Sequence, residues 1–212
     1  MTDMKNEANE KKEKKHSVLL TAVLFFLSLT VITGGIYPAV CTALAQVLFP
    51  YQANGSIIEI DGKKYGSELL AQEFTGAEYL HGRVMNVDTG SWTDENGKVE
   101  IYSAPSNKTP AGEELEGLVA ERVAEIKAEN PEMGDTPVPV DLVTNSGSGL
   151  DPEISPAGAE YQVKRIAKAR GLSEDEVRSV IQKYTRGRSL GVLGEPGVNV
   201  LKVNLALDGI LK

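Results

Sequence analysis

The chain has 212 residues, 22 of them basic and 30 acidic, for a net charge of −8. That length fits a membrane anchor plus one domain, or two small domains at most. The acidic balance disfavours nucleic acid and anionic membrane surfaces as partners, and a single cysteine (Cys41) with two histidines (His16 and His81) excludes an intramolecular disulfide, a cysteine-based metal site and most histidine-rich zinc sites.

The charge is unevenly spread. Met1 to His16 carries five lysines against four acids, and Ser17 to Pro50 carries no charged residue at all. Val18 to Val40 is long enough to cross a hydrocarbon core, which takes about 20 apolar residues. Its Ser and Thr hydroxyls can bond back to the helix backbone. Gly34, Gly35 and Pro38 fall late in the span, where a kink is tolerable, and Tyr37, Phe49 and Tyr51 suit a membrane interface. Ala43-Leu44-Ala45 has the form of a cleavage site, but the apolar core before it exceeds the roughly 7–15 residues of a secretory signal. Lys11, Lys12, Lys14 and Lys15 flank the span on one side, and the other side has no basic residue before Lys63. The expected layout is therefore a cytoplasmic tail (residues 1–16), a transmembrane helix (residues 17–40, with room to extend toward 49) and an extracytoplasmic domain (residues 51–212).

Within that domain, Ser56 to Ile60, a turn at Asp61-Gly62 and Lys63 to Tyr65 predict a hairpin. Ser67 is positioned to cap a short helix through Phe74. Gly82 to Ser106 reads as a long loop with one strand at Lys98 to Tyr102. Thr109-Pro110 predicts a helix start, Leu118, Val119, Val123 and Ile126 supply its apolar face, and Asn130-Pro131 ends it. Val138 to Val143 predicts an edge strand. The loop Ser146-Gly147-Ser148-Gly149 lies before a helix start, where backbone N–H groups can cradle phosphate; the plainer reading is a tight connection, since neither a P-loop nor a GxGxxG pattern is present. Ser155-Pro156 starts a helix that Gly171 closes, and Ser173 to Glu176 forms a capping box for the next. The basic residues of this pair (Lys164, Arg165, Lys168, Arg170, Arg178 and Lys183, with Arg186 and Arg188) either balance local acids or face an acidic partner. Val198 to Leu207 predicts a final strand with a slip or bulge. The order is α+β.

Catalytic signals are few. His81 is the only histidine of the outer domain, and no serine has a nucleophile-elbow context. Asp141 with Asp151 is a candidate acid pair for acid–base work or a divalent cation. Neither catalytic nor metal-ligating residues are assigned.

Several stretches, in order, carry a resemblance. They are Leu48 to Ser56, Val138 to Thr144, Ser146 to Pro152, Ile154 to Pro156, Arg165 to Leu172, Leu193 to Pro196, and Asn199 to Leu201 with Asn204 to Asp208. Together, after one N-terminal span, they resemble the C subunits of Kdp-type potassium-transporting ATPases. The resemblance implies a non-catalytic subunit of a bacterial potassium import pump. Its partners would be a channel-like potassium-conducting subunit, a P-type ATPase subunit and a very small subunit. ATP and potassium would be handled by the complex, with no cofactor held tightly here. The family is described both as a catalytic chaperone raising the ATP affinity of the ATPase subunit and as an outer cap on the potassium-conducting subunit. Within the matching stretches, Asp151, Pro152, Ser155, Arg165, Arg170, Glu195, Pro196 and Asn199 are interface candidates. The stretch Val84 to Lys108 departs from the family pattern, with Trp92 and several acids before Ser106-Asn107. The alternatives are an anchored cation- or ligand-binding module, or an anchored hydrolase using His81 or the acid pair.

Overall fold

The computed structural model describes residues 18–90 and 93–211. The lysine-rich tail with His16, and Trp92, lie outside the described residues. The chain forms two compact units, Met1–Gly55 and Ser56–Lys212.

The first unit is dominated by helix α1, Val18–Leu48, none of whose side chains is buried and whose large apolar side chains are exposed. At 31 residues it is about 46 Å long, more than a hydrocarbon core of about 30 Å requires. The helix therefore continues past residue 40. The hydroxyls of Ser28, Thr30 and Thr33 donate to the carbonyls four residues back, at 2.7–2.9 Å, so none is left bare in an apolar setting. Gly34, Gly35 and Pro38 do not end the helix. A π-helical turn at Ile32–Ile36 widens it just where the proline ring would press on the preceding turn. A one-turn helix α2, Pro50–Ala53, follows, and Asn54 fastens it by donating to Gln46 Oε1 and the Pro50 carbonyl.

The second unit is α+β. Strands β1 (Ile57–Ile60) and β2 (Lys63–Ser67) form the expected hairpin, with Asp61 and Gly62 both at positive φ in the turn. Strands β3 (Val87–Asp88) and β4 (Tyr102–Ser103) pair across the long loop. The expected strand at Lys98 to Tyr102 is reduced to its last residue, with Val99 making only a single bridge to Thr93. Helix α3 (Glu113–Glu129) starts at Gly112 rather than Thr109, whose carbonyl instead accepts from Gly112 N–H in a preceding turn. The acids Glu113, Glu114 and Glu116 sit in its first turn, where the helix dipole favours them.

Three expectations need correcting. Ser67 ends β2 and its hydroxyl accepts from Leu69 N–H, and from Ala71 to Asn86 the chain is irregular apart from one bridge at Val84. Val138 to Val143 is not a strand: Pro139 precedes a single helical turn α4, Val140–Val143, which buries Leu142 and Val143. Val198 to Leu207 divides after three residues of strand. Strand β7 (Gly197–Asn199) is central in an antiparallel sheet between β5 (Glu153–Ile154) and β6 (Thr185–Arg186). Helix α7 (Val200–Leu207) then begins, because the Asn199 side chain accepts from Lys202 N–H at 3.0 Å. The step of three from Val200 to Val203 belongs to a helix, and only the step from Val198 to Val200 to a strand.

Helices α5 (Pro156–Arg170) and α6 (Glu174–Lys183) match expectation. Ser155 caps α5 through Gly158 N–H, Gly171 closes it at φ 66°, and the capping box at Ser173 and Glu176 is complete. Ala159, Val163 and Ile166 on α5 pack with Val177, Ile181, Val198, Val203 and Leu80 in the main core. A second cluster sets Leu201 and Leu205 of α7 against Ile58 and Tyr65 of the hairpin. Helix α7 is thus buried on two sides, which explains its nearly continuous apolar run.

Asn199→Ala removes the cap of α7 and leaves the Glu68 carbonyl, which accepts from Asn199 Nδ2 at 2.8 Å, without that partner. Urea unfolding of the full chain should show a loss of about 1–2 kcal/mol. An unchanged midpoint would mean the cap does not set the strand-to-helix switch.

Candidate functional site

The irregular stretch before Asn86 is held by side chains from the helices. On α5, Gln162 accepts from His81 N–H at 2.9 Å and donates to the His81 carbonyl at 3.0 Å. On α7, Asn204 treats Leu80 in the same way, at 2.8 and 2.9 Å. Arg165, only 6% exposed, donates to the carbonyls of Ala77 (2.7 Å) and Tyr79 (3.0 Å), to Gln162 Oε1 and to Asn130 Oδ1. Burial lowers the pKa of its guanidinium, opposed by Glu129 and Glu78. Arg170 extends the set to the carbonyls of Glu78 and Leu207 and to the Asp208 carboxylate, and lies over the Tyr79 ring.

Beside this stretch lies a cleft of about 600 Å³, lined by Phe74, His81, Arg83, Arg122, Glu125 and Glu129 among others. Arg83 donates to Asp151, Thr144 and the Asn145 carbonyl, and Arg122 to the Val143 carbonyl and Asn145. Both ring nitrogens of His81 are engaged, Nε2 with the Gly76 carbonyl at 2.9 Å and Nδ1 with Glu129 Oε2 at 3.2 Å. Burial, then the positive charge of Arg165, lowers its pKa from the ordinary value; the Gly76 carbonyl and Glu129 pull the other way without reversing the shift.

The sequence-derived candidates separate on this frame. In the Ser146–Gly149 loop, Gly149 N–H donates to Ser146 Oγ at 3.0 Å and Leu150 N–H to Ser148 Oγ at 3.2 Å. Two of the donors a phosphate would need are therefore turned inward. Gly149 holds φ 73°, and a Cβ there would lie 2.6 Å from the Ala104 carbonyl oxygen. Asp141 and Asp151 serve different backbone groups: Asp141 accepts from Ser155 N–H at the start of α5, and Asp151 accepts from Glu153 N–H and Arg83. Gly158 leaves room for the Asp141 carboxylate, which a Cβ would approach to 2.9 Å. Pro152 offers its carbonyl to Val200 N–H. Ser155 and Asn199 are helix caps, while Arg165 and Arg170 hold backbone. Glu195 pairs with Arg188 at 2.6 Å, next to Pro196.

The basic set around α5 and α6 is largely matched by acids. Arg178 meets Glu160, Glu174 and Asp175, which raise its pKa, Arg186 meets Glu153, and Lys168 meets Glu132. Among the described residues, no three His, Cys, Asp or Glu side chains converge to hold a metal ion. Sequence reasoning missed the roles of Gln162 and Asn204. Their signal was a polar amide set among apolar helix positions, Gln162 beside Val163 and Asn204 between Val203 and Leu205.

A helix long and apolar enough to cross a membrane, followed by an α+β domain whose charged side chains mostly hold its own chain, fits a membrane-anchored protein. Residues 19–209 match the family model described as the c chain of the K+-transporting ATPase. The chain is 59% identical over 195 residues to the potassium-transporting ATPase KdpC subunit of Clostridium perfringens, covering 92% of this chain and 98% of that one. It is 51% identical over 191 residues to the protein of the same name from Sorangium cellulosum, covering 90% and 97%. The chain belongs to the KdpC family, the C subunits of the potassium-transporting ATPase.

Because the folded-state pKa of His81 lies below its ordinary value, the unfolded chain takes up that proton first as pH falls. The stability it contributes is complete above about pH 6.5 and declines below it. Urea midpoints measured from pH 7.5 to 5 should therefore fall more steeply for the natural chain than for His81→Gln. Parallel curves would show that the ring titrates as it does in water.

Proposed function

We propose that this chain is a non-catalytic subunit of an ATP-driven potassium import pump in a bacterial cell membrane. Helix α1 anchors it with the N-terminus in the cytoplasm and the α+β domain outside. It acts by assembly with a channel-like potassium-conducting subunit, a P-type ATPase subunit and a small fourth subunit. An effect on the ATP affinity of the ATPase subunit, whose nucleotide lies on the other side of the membrane, would pass through α1.

The observation that carries this reading is an apolar tip on the outer domain. Ser189 and Leu193 pair back to back, at 2.8 and 2.9 Å, and Leu190 and Gly191 hold positive φ between them. The turn is hydrogen-bonded, and it still presents Leu190 (90% exposed), Val192 (72%) and Leu193 (58%). Three large apolar side chains on one ordered turn suit burial against another protein surface. The names of the relatives supply the class of partner, the other subunits of a potassium-transporting ATPase. The cleft beside His81 favours a second reading, a ligand-binding module, which needs no copurifying subunits.

The test is copurification from potassium-starved cells in mild detergent. The natural chain should bring down a P-type ATPase and a channel-like protein with potassium-stimulated ATP hydrolysis. A variant with Leu190, Val192 and Leu193 all changed to Ser should recover at least tenfold less of both partners while keeping its unfolding midpoint. Recovery of the natural chain alone would defeat the subunit reading; full recovery with the triple variant would defeat the tip as the contact.

A further inference from the structure

The contact between His81 and Glu129 contains an unresolved proton. The Gly76 carbonyl only accepts, so Nε2, 2.9 Å away, must carry a hydrogen. In a neutral ring that leaves Nδ1 as a lone pair, and it faces Glu129 Oε2 at 3.2 Å. Two acceptors at that distance repel. The contact is attractive only when a further proton lies on the pair.

The two partners differ in freedom. The backbone of His81 is clamped on both sides by Gln162, and its ring nitrogen by Gly76. The backbone beyond Glu129 is also fixed, since Asn130 N–H donates to the Ile126 carbonyl at 3.1 Å while the Asn130 side-chain oxygen accepts from Arg165. The Glu129 side chain is 43% exposed and can turn to water. Both residues line the cleft.

We infer that His81 and Glu129 form a proton-operated contact on the wall of this cleft, closed when both ring nitrogens are protonated and released, with the carboxylate turning to solvent, when only Nε2 is. The ligand of this site is a proton, and the charge of the cleft wall changes by one unit as it binds. The groups that set the balance come from each neighbouring element. Arg165 on α5 opposes the charged ring and Glu129 on α3 favours it. Arg122 and Glu125 on α3, and Glu73 and Arg83 on the irregular stretch and its flank, line the same cleft, to which α4 brings only Leu142. Since burial and Arg165 outweigh the favourable contacts, the contact is released at neutral pH and closes on acidification.

The test uses the full chain in detergent, with 15N-labelled histidine and 13C-labelled glutamate, followed by NMR from pH 8 to 4.5; His16→Gln separates the two ring signals. At high pH, His81 should show the Nε2–H tautomer, and as pH falls Nδ1 should gain its proton together with a change at the Glu129 carboxyl carbon. In Glu129→Gln the amide can donate to Nδ1 and the anion is gone, so the His81 proton affinity should drop about tenfold. Glu129→Asp, one methylene shorter, should give a drop in the same direction and serves if the first variant misfolds. An Nδ1–H tautomer at high pH, or a His81 midpoint unmoved by either substitution, would overturn the inference.

Discussion

A chain segment that enters a protein interior without joining a helix or a sheet must find partners for every buried N–H and C=O. Here that segment runs through Leu80, which is fully buried, and His81. Its partners are two side-chain amides and two guanidinium groups reaching in from α5 and α7: Gln162, Asn204, Arg165 and Arg170. Each amide both accepts and donates, so it replaces the two hydrogen bonds a neighbouring strand would have supplied. Leaving any of these groups unpaired inside the core costs about 1–3 kcal/mol, a sizeable share of the stability of a domain this size.

That requirement accounts for much of the polar chemistry in the chain. The basic residues around α5 and α6 largely balance local acids, one of the two readings their sequence allowed, and Arg165 and Arg170 also hold backbone carbonyls. The serines and glycines of Ser146–Gly149 close a turn against Ala104 and Asn86, in line with the plainer of their two readings, a tight connection. Of the two candidate acids, Asp141 accepts from Ser155 N–H at a helix start and Asp151 braces Arg83. Exposed large apolar side chains remain along α1 and, in the α+β domain, at the ordered tip around Leu190 among other places. The cleft beside His81 gathers the charged side chains of Arg83, Arg122, Glu125 and Glu129.

The elements legible in the sequence were those with local causes. The hairpin turn at Asp61-Gly62, the Ser155 and Ser173 caps and the Gly171 stop each act within a few residues, and all stand where expected. The misread elements depended on distant partners. Val200 to Leu207 looked like a strand because α7 is apolar on two sides, toward α5 and toward the hairpin. Val140 to Val143 is too short for its period to separate a turn of helix from a strand. The roles of Gln162 and Asn204 were not legible, because the backbone groups they hold lie 81 and 124 residues away in the chain. The family resemblance, in contrast, was readable from ordered short motifs and agrees with the match across residues 19–209.

The most direct measurement is native-state amide hydrogen exchange on the full chain, read at Leu80 and His81. If Asn204 and Gln162 hold these residues as described, both amides should exchange as slowly as the middle of α5, although they belong to no helix or strand. Exchange at the rate of the exposed turn around Leu190 would contradict the account.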